Sequence, residues 1–202
     1  MALKTANNQS MTAITALPSA VAQGGLVLIS TTTASDDGTI SITSGIDSTY
    51  KEYIIKLINI HPGTNDTRLT FQGSIDAGSN YNVTMTTTAF RALHTEDDTA
   101  NTLSYQTSAD LAQATGFQRV GILGMGSDND ENGNGHLHLF NPSSTTFVKH
   151  VICRFTETGA EPRQVDGYMA GYFNTTSAVN AVQFKMSDGN IGSGTFKLYG
   201  VT

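Results

Sequence analysis

The stretch Val182-Gln-Phe-Lys-Met-Ser-Asp-Gly-Asn-Ile-Gly-Ser-Gly-Thr-Phe-Lys-Leu-Tyr199 decides the fold. Val182, Phe184 and Met186 alternate with polar Gln183 and Lys185, the period of two that marks a strand with one wet face. Thr195 to Tyr199 alternates in the same way. Between them Asp188-Gly-Asn190 and Gly192-Ser-Gly194 supply residues that tolerate tight turns. These residues make the connection between the two strands tight.

The same reading extends upstream to Gly25. Leu26 to Thr33 is strand-like, and Asp36-Asp-Gly38 turns the chain into Thr39 to Thr43. Tyr50 to Ile60 is the longest apolar run and predicts a central strand that stops at His61-Pro-Gly63. Thr67 to Gln72 follows, then a turn at Asp76-Ala-Gly-Ser-Asn80, then Tyr81 to Thr88 with Tyr81, Val83 and Met85 on one face. Val151-Ile-Cys-Arg-Phe155 places Cys153 on a face with Val151 and Phe155, as a buried thiol. Only Ser108 to Ala114 suggests a helical turn, with Ser108 as its cap. Many short antiparallel strands predict an all-β fold, an antiparallel β-sandwich of the jelly-roll kind spanning residues 25–202.

Composition agrees. In 202 residues only 14% are charged, and the polar remainder is Thr, Ser, Asn and Gly, which suit strand faces and turns. A net charge of −6 with 11 scattered basic residues argues against a nucleic-acid partner. One cysteine cannot form an intrachain disulfide. No apolar run is long enough to cross a bilayer, and the N-terminus lacks the apolar core of a signal peptide. Residues 1–24 are polar and rich in small residues, and they end in Gln23-Gly-Gly25. They read either as a disordered tail or as an extended N-terminal arm for attachment that orders on a neighbouring subunit, with a reach on the order of 80 Å at about 3.3 Å per residue.

Gly167-Tyr-Met-Ala-Gly-Tyr-Phe-Asn-Thr-Thr-Ser-Ala-Val-Asn-Ala-Val-Gln-Phe-Lys-Met186, Gly194-Thr-Phe-Lys-Leu-Tyr-Gly200 and Leu137-His-Leu-Phe-Asn-Pro-Ser-Ser-Thr-Thr-Phe-Val-Lys-His150 carry a likeness. They resemble the small structural proteins of tailed-bacteriophage virions, marine phages especially. The resemblance implies a non-enzymatic virion protein, either a capsid decoration protein or a tail fibre or spike component. It also implies a homotrimer assembled in the host cytoplasm, with other virion proteins as partners and host surface glycan as a further one.

Candidate sites are few. Asp128-Asn-Asp-Glu-Asn-Gly133 begins like a calcium loop, with Asp128, Asp130 and Asn132 offering oxygens and Gly133 the bend. The bidentate Glu that would close such a loop is replaced by Leu139, so a solvated hairpin tip competes with a calcium site. His136 and His138 share a strand face and have the spacing of a transition-metal pair, or of two wet imidazoles. Tyr105, Phe117, Tyr168, Tyr172 and Phe173 are candidates for stacking on sugar rings or for packing. Catalytic signatures are lacking: there is no G-x-S-x-G, H-E-x-x-H or Walker loop, and Gly121 to Gly126 has its glycines misplaced for a dinucleotide. Glu96-Asp-Asp98 reads as a solvated loop rather than a carboxylate pair for glycoside hydrolysis. The second functional reading is therefore a carbohydrate-binding module with a calcium-stiffened loop.

Overall fold

A computed structural model describes residues 25–202. The N-terminal arm expected over residues 1–24 lies outside the described residues. Two antiparallel sheets pack face to face as a β-sandwich, and no helix forms among the described residues. The larger sheet holds eight strands. In spatial order they are β1 (Leu26–Asp37), β12 (Ile191–Val201), β3 (Glu52–Pro62), β8 (Gly133–Phe140), β9 (Lys149–Thr158), β10 (Arg163–Phe173), β5 (Met85–Thr95) and β6 (Asn101–Tyr105). The smaller sheet runs β2 (Ile40–Ile42), β11 (Ala181–Met186), β4 (Leu69–Ser74), β7 (Gln118–Arg119). The partition is unequal, eight against four, rather than the even division of a simple jelly roll.

Strand alternation builds the core. Val182, Phe184 and Met186 of β11 are buried, as are Phe196 and Leu198 of β12 and Tyr53, Ile55 and Leu57 of β3. Aromatic rings join the layers: Phe71 of β4 meets Phe173 of β10 edge-on at 6.2 Å, and Phe184 of β11 meets Phe196 of β12 at 5.2 Å. Such pairs add to the stabilisation from their buried area. Space for Phe155 comes from two glycines opposite it. A Cβ at Gly133 would lie 2.3 Å from the Phe155 ring, and one at Gly135 would lie 2.8 Å from it.

Two expectations differ from the structure. Ser108 to Ala114 forms turns, not a helix, because its backbone bonds to strand β5 instead: Thr87 N–H donates to Leu111 O, Leu111 N–H donates to the Thr87 hydroxyl oxygen, and Ala114 pairs with Met85 in both directions. Tyr81 to Thr84 is not a strand either. The ladder with β10 ends at Phe173, opposite Met85, and only one further backbone bond, Asn174 N–H to Thr84 O, reaches the residues before it. The two buried glutamines are satisfied locally. Gln72, fully buried, donates to Thr115 O and Gly116 O, and buried Gln118 donates to Ala109 O while accepting from the Thr87 hydroxyl.

Candidate functional site

The outer face of the eight-stranded sheet is where chemistry gathers. Each strand sends alternate side chains to that face, so the register decides who stands beside whom. One line of paired residues crosses all eight strands: Thr31, Lys197, Lys56, His136, Arg154, Tyr168, Phe90 and Tyr105. Four consecutive members are basic, and the next three are aromatic. Strands lie about 4.8 Å apart, so these basic groups are immediate neighbours.

Counter-charges are unevenly distributed along this row. Asp166 clamps Arg154, accepting from Nε at 3.1 and 3.2 Å and from Nη2 at 2.7 Å. That pairing, helped by a hydrogen bond from the Tyr168 hydroxyl, holds the Asp166 carboxyl below its usual range against the opposing effect of burial. His138 pairs with Glu52 at 2.5 Å. Lys56 lies over the Tyr199 ring at 5.4 Å. Neither Lys56 nor Lys197 has a carboxylate within ion-pair distance among the described residues. Burial lowers the pKa of His136, and the neighbouring His138, Arg154 and Lys56 lower it further. His136 therefore favours its neutral form, in which one ring nitrogen accepts.

Beside the basic row is an open groove of about 530 Å³, lined by Asn134, His136, Arg154, Thr156, Gln164 and Asp166. It is shallow and rich in amide, hydroxyl and charged groups, set by strands β8, β9 and β10. Such a surface offers hydrogen bonds and charge to a polar ligand laid across the strands.

The residues singled out in the sequence are dispersed. Asp128 and Asp130 are exposed at a turn closed by Glu131 N–H donating to Asp128 O at 2.9 Å. The Glu131 carboxylate folds back to accept from Asp128 N–H, and the Asn132 carboxamide oxygen accepts from Asn134. Leu139, at the position of the closing ligand, is fully buried. Among the described residues no three His, Cys, Asp or Glu side chains gather closely enough to hold a metal ion. The rings of His136 and His138 do stand together, 5.0 Å apart, but Glu52 occupies one nitrogen of His138. Phe173 is core. Tyr168 stands between Phe90, stacked at 4.7 Å, and the Arg154 guanidinium at 5.1 Å, so neither ring face is open to a sugar. Tyr105 is exposed and donates to Asp110. In the acidic loop, Asp97 is spent on Thr99 and Asp98 on His94. Cys153 is buried, and burial pushes its thiol up to about 12.

Sequence reasoning passed over two buried charges. Strand β9 alternates strictly, and its inward set runs Lys149, Val151, Cys153, Phe155, Glu157. The parity that placed Cys153 inside also places Lys149 and Glu157 there. The Lys149 ammonium donates to Phe147 O and Thr175 O, and burial lowers its pKa. Glu157 accepts from Leu123 N–H at 2.7 Å, and its other oxygen has no partner among the described residues. Gly121 leaves room for it, since a Cβ there would lie 2.5 Å from that oxygen. Glu157 thus ties the glycine-rich Gly121 to Gly126 segment to the sheet, a structural use for a stretch that resembled a nucleotide loop in composition only.

No known protein family matches the chain, and neither does any curated protein sequence or solved structure.

Proposed function

We propose that this chain is a non-enzymatic structural protein of a tailed-phage virion, displayed on the particle surface as a homotrimer. It serves there as a capsid decoration protein or as a tail fibre or spike component. The observation that supports this reading is the pair of large-sheet edges that no strand covers among the described residues. Strand β1 carries exposed Leu26 and Leu28 at one edge, and β6 carries exposed Leu103 and Tyr105 at the other, beside exposed Phe90. Open edges with apolar side chains invite pairing with another chain. The two edges differ, so β1 of one copy meeting β6 of the next makes a head-to-tail contact, the kind that closes into a ring. The likeness of Leu137 to Gly200 to phage structural proteins points the same way.

Light scattering on the full chain is expected to give three times the 21.4 kDa chain mass. Leu103 is 75% exposed. Leu103→Glu is therefore expected to yield a monomer that keeps the parent's folded circular-dichroism spectrum, since surface substitutions cost little fold stability. Antibody raised against the protein should decorate intact phage particles in electron micrographs. A monomer at high concentration together with bare particles would overturn the reading.

A further inference from the structure

We propose that the basic row and groove on the outer face of the large sheet bind an acidic polysaccharide, a chain of sugars bearing carboxylate or sulfate groups. Like charges directly opposite one another on neighbouring strands destabilise a sheet. Lys197 and Lys56 nevertheless stand directly opposite one another, with His136 and Arg154 on the next two strands, in a protein of net charge −6. Asp166 offsets Arg154 alone, leaving the two lysines without a carboxylate among the described residues. An anion spread along the row removes that cost.

The groove specifies what kind of anion. The Asn134 amide is held by Asn59 and Asn132, and the Gln164 amide nitrogen donates to the Thr156 hydroxyl oxygen and to Val165 O, which leaves the Thr156 O–H and the Gln164 Oε1 to meet sugar hydroxyls beside His136 and Arg154 of the row. Arg154 Nη1 makes no hydrogen bond among the described residues and remains available for a carboxylate or sulfate oxygen. A nucleic-acid strand fits less well. Its phosphates need several uncompensated cations, and here two lysines stand free while Asp166 faces the groove. The rings nearest the cations are already occupied, Tyr168 between Phe90 and Arg154 and Tyr199 under Lys56, while the exposed Tyr105 stands at the far edge of the sheet. The site does not depend on the virion reading, since it is built within one chain.

Calorimetric titration of the full chain tests it. The ligands are a galacturonate tetrasaccharide, a sulfated heparin tetrasaccharide, a neutral cellotetraose and a single-stranded oligothymidine. Saturable binding to at least one acidic tetrasaccharide is expected, at least tenfold tighter than to cellotetraose. The double variant Lys56→Gln and Lys197→Gln should weaken it tenfold or more without lowering the melting temperature. Gln164→Ala should weaken it about threefold while leaving its salt dependence intact, because hydroxyl recognition is separate from charge. No saturable binding to either acidic tetrasaccharide would overturn the proposal. So would undiminished binding by the double variant when folded, or tighter binding of oligothymidine. If the double variant does not fold, perturbation of His136 and Gln164 side-chain NMR signals in the parent protein by the acidic tetrasaccharide decides in its place, and unmoved signals overturn the site. Light scattering on the same samples separates this outcome from the fate of the trimer.

Discussion

Glu157→Gln is expected to flatten the pH dependence of folding stability between about pH 4.5 and pH 8. Burial raises the Glu157 carboxyl from 4.5 to about 8, opposed by the N–H groups of Leu123 and Ile122 and by the charges of Arg68 and Arg163. In the unfolded chain the group returns to its ordinary value. Between the two, the folded protein holds a proton that the unfolded chain has released, so stability falls as pH rises. Below the lower value both states are protonated and the contribution is whole. Above the upper value both are ionised and the slope vanishes. Each pH unit within the window costs roughly 1 kcal/mol or slightly more, for a loss of a few kcal/mol across it. Glutamine keeps an acceptor for Leu123 N–H and carries no charge, so it avoids the loss. Urea unfolding of both proteins at pH 5, 7 and 9 should show similar stability at pH 5 and a clear advantage for the variant at pH 9. Parallel curves would mean that water or arginine already compensates the ionised group.

The other large effect is expected at Phe71→Ala. Phe71 touches Phe173 of the opposite sheet edge-on and Phe184 of its own sheet at 6.2 Å, and Phe184 continues to Phe196. Removing its ring leaves a cavity at the seam between the layers, where neither backbone can close in. Such a change costs about 3–5 kcal/mol, against a total stability of roughly 5–15 kcal/mol for a domain. A large fall in urea midpoint is expected, whereas Phe147→Ala, at a 69% exposed position, should leave the midpoint within error. A small effect at Phe71 would mean that the two sheets adjust to fill the gap.

Local alternation made much of the fold legible. Val182, Phe184 and Met186 lie inside, while Gln183 and Lys185 do not, because a pleated strand must send neighbours to opposite faces. Cys153 followed from the same parity. Extending that parity four residues would have placed Glu157 inside as well. Where the reading failed, a partner decided the outcome. Val83 is buried, yet its segment has no ladder because β10 ends at Phe173. Ser108 to Ala114 has helix-forming residues, but the open edge of β5 claims its backbone.

The candidate site was the least legible part. The basic residues that look scattered along the chain include Lys56, Arg154 and Lys197, and the sheet order β12, β3, β8, β9 sets them side by side with His136. Conversely, Asp128, Asp130 and Asn132 look clustered in sequence, but the turn they form spends its hydrogen bonds internally and points its two aspartates to solvent. By itself, the sequence determined what each strand buries, since a two-residue period is a property of adjacent residues. Only the tertiary structure decided which charges share a surface, because strand order and register join residues far apart in the chain, as they do Lys56 and Lys197.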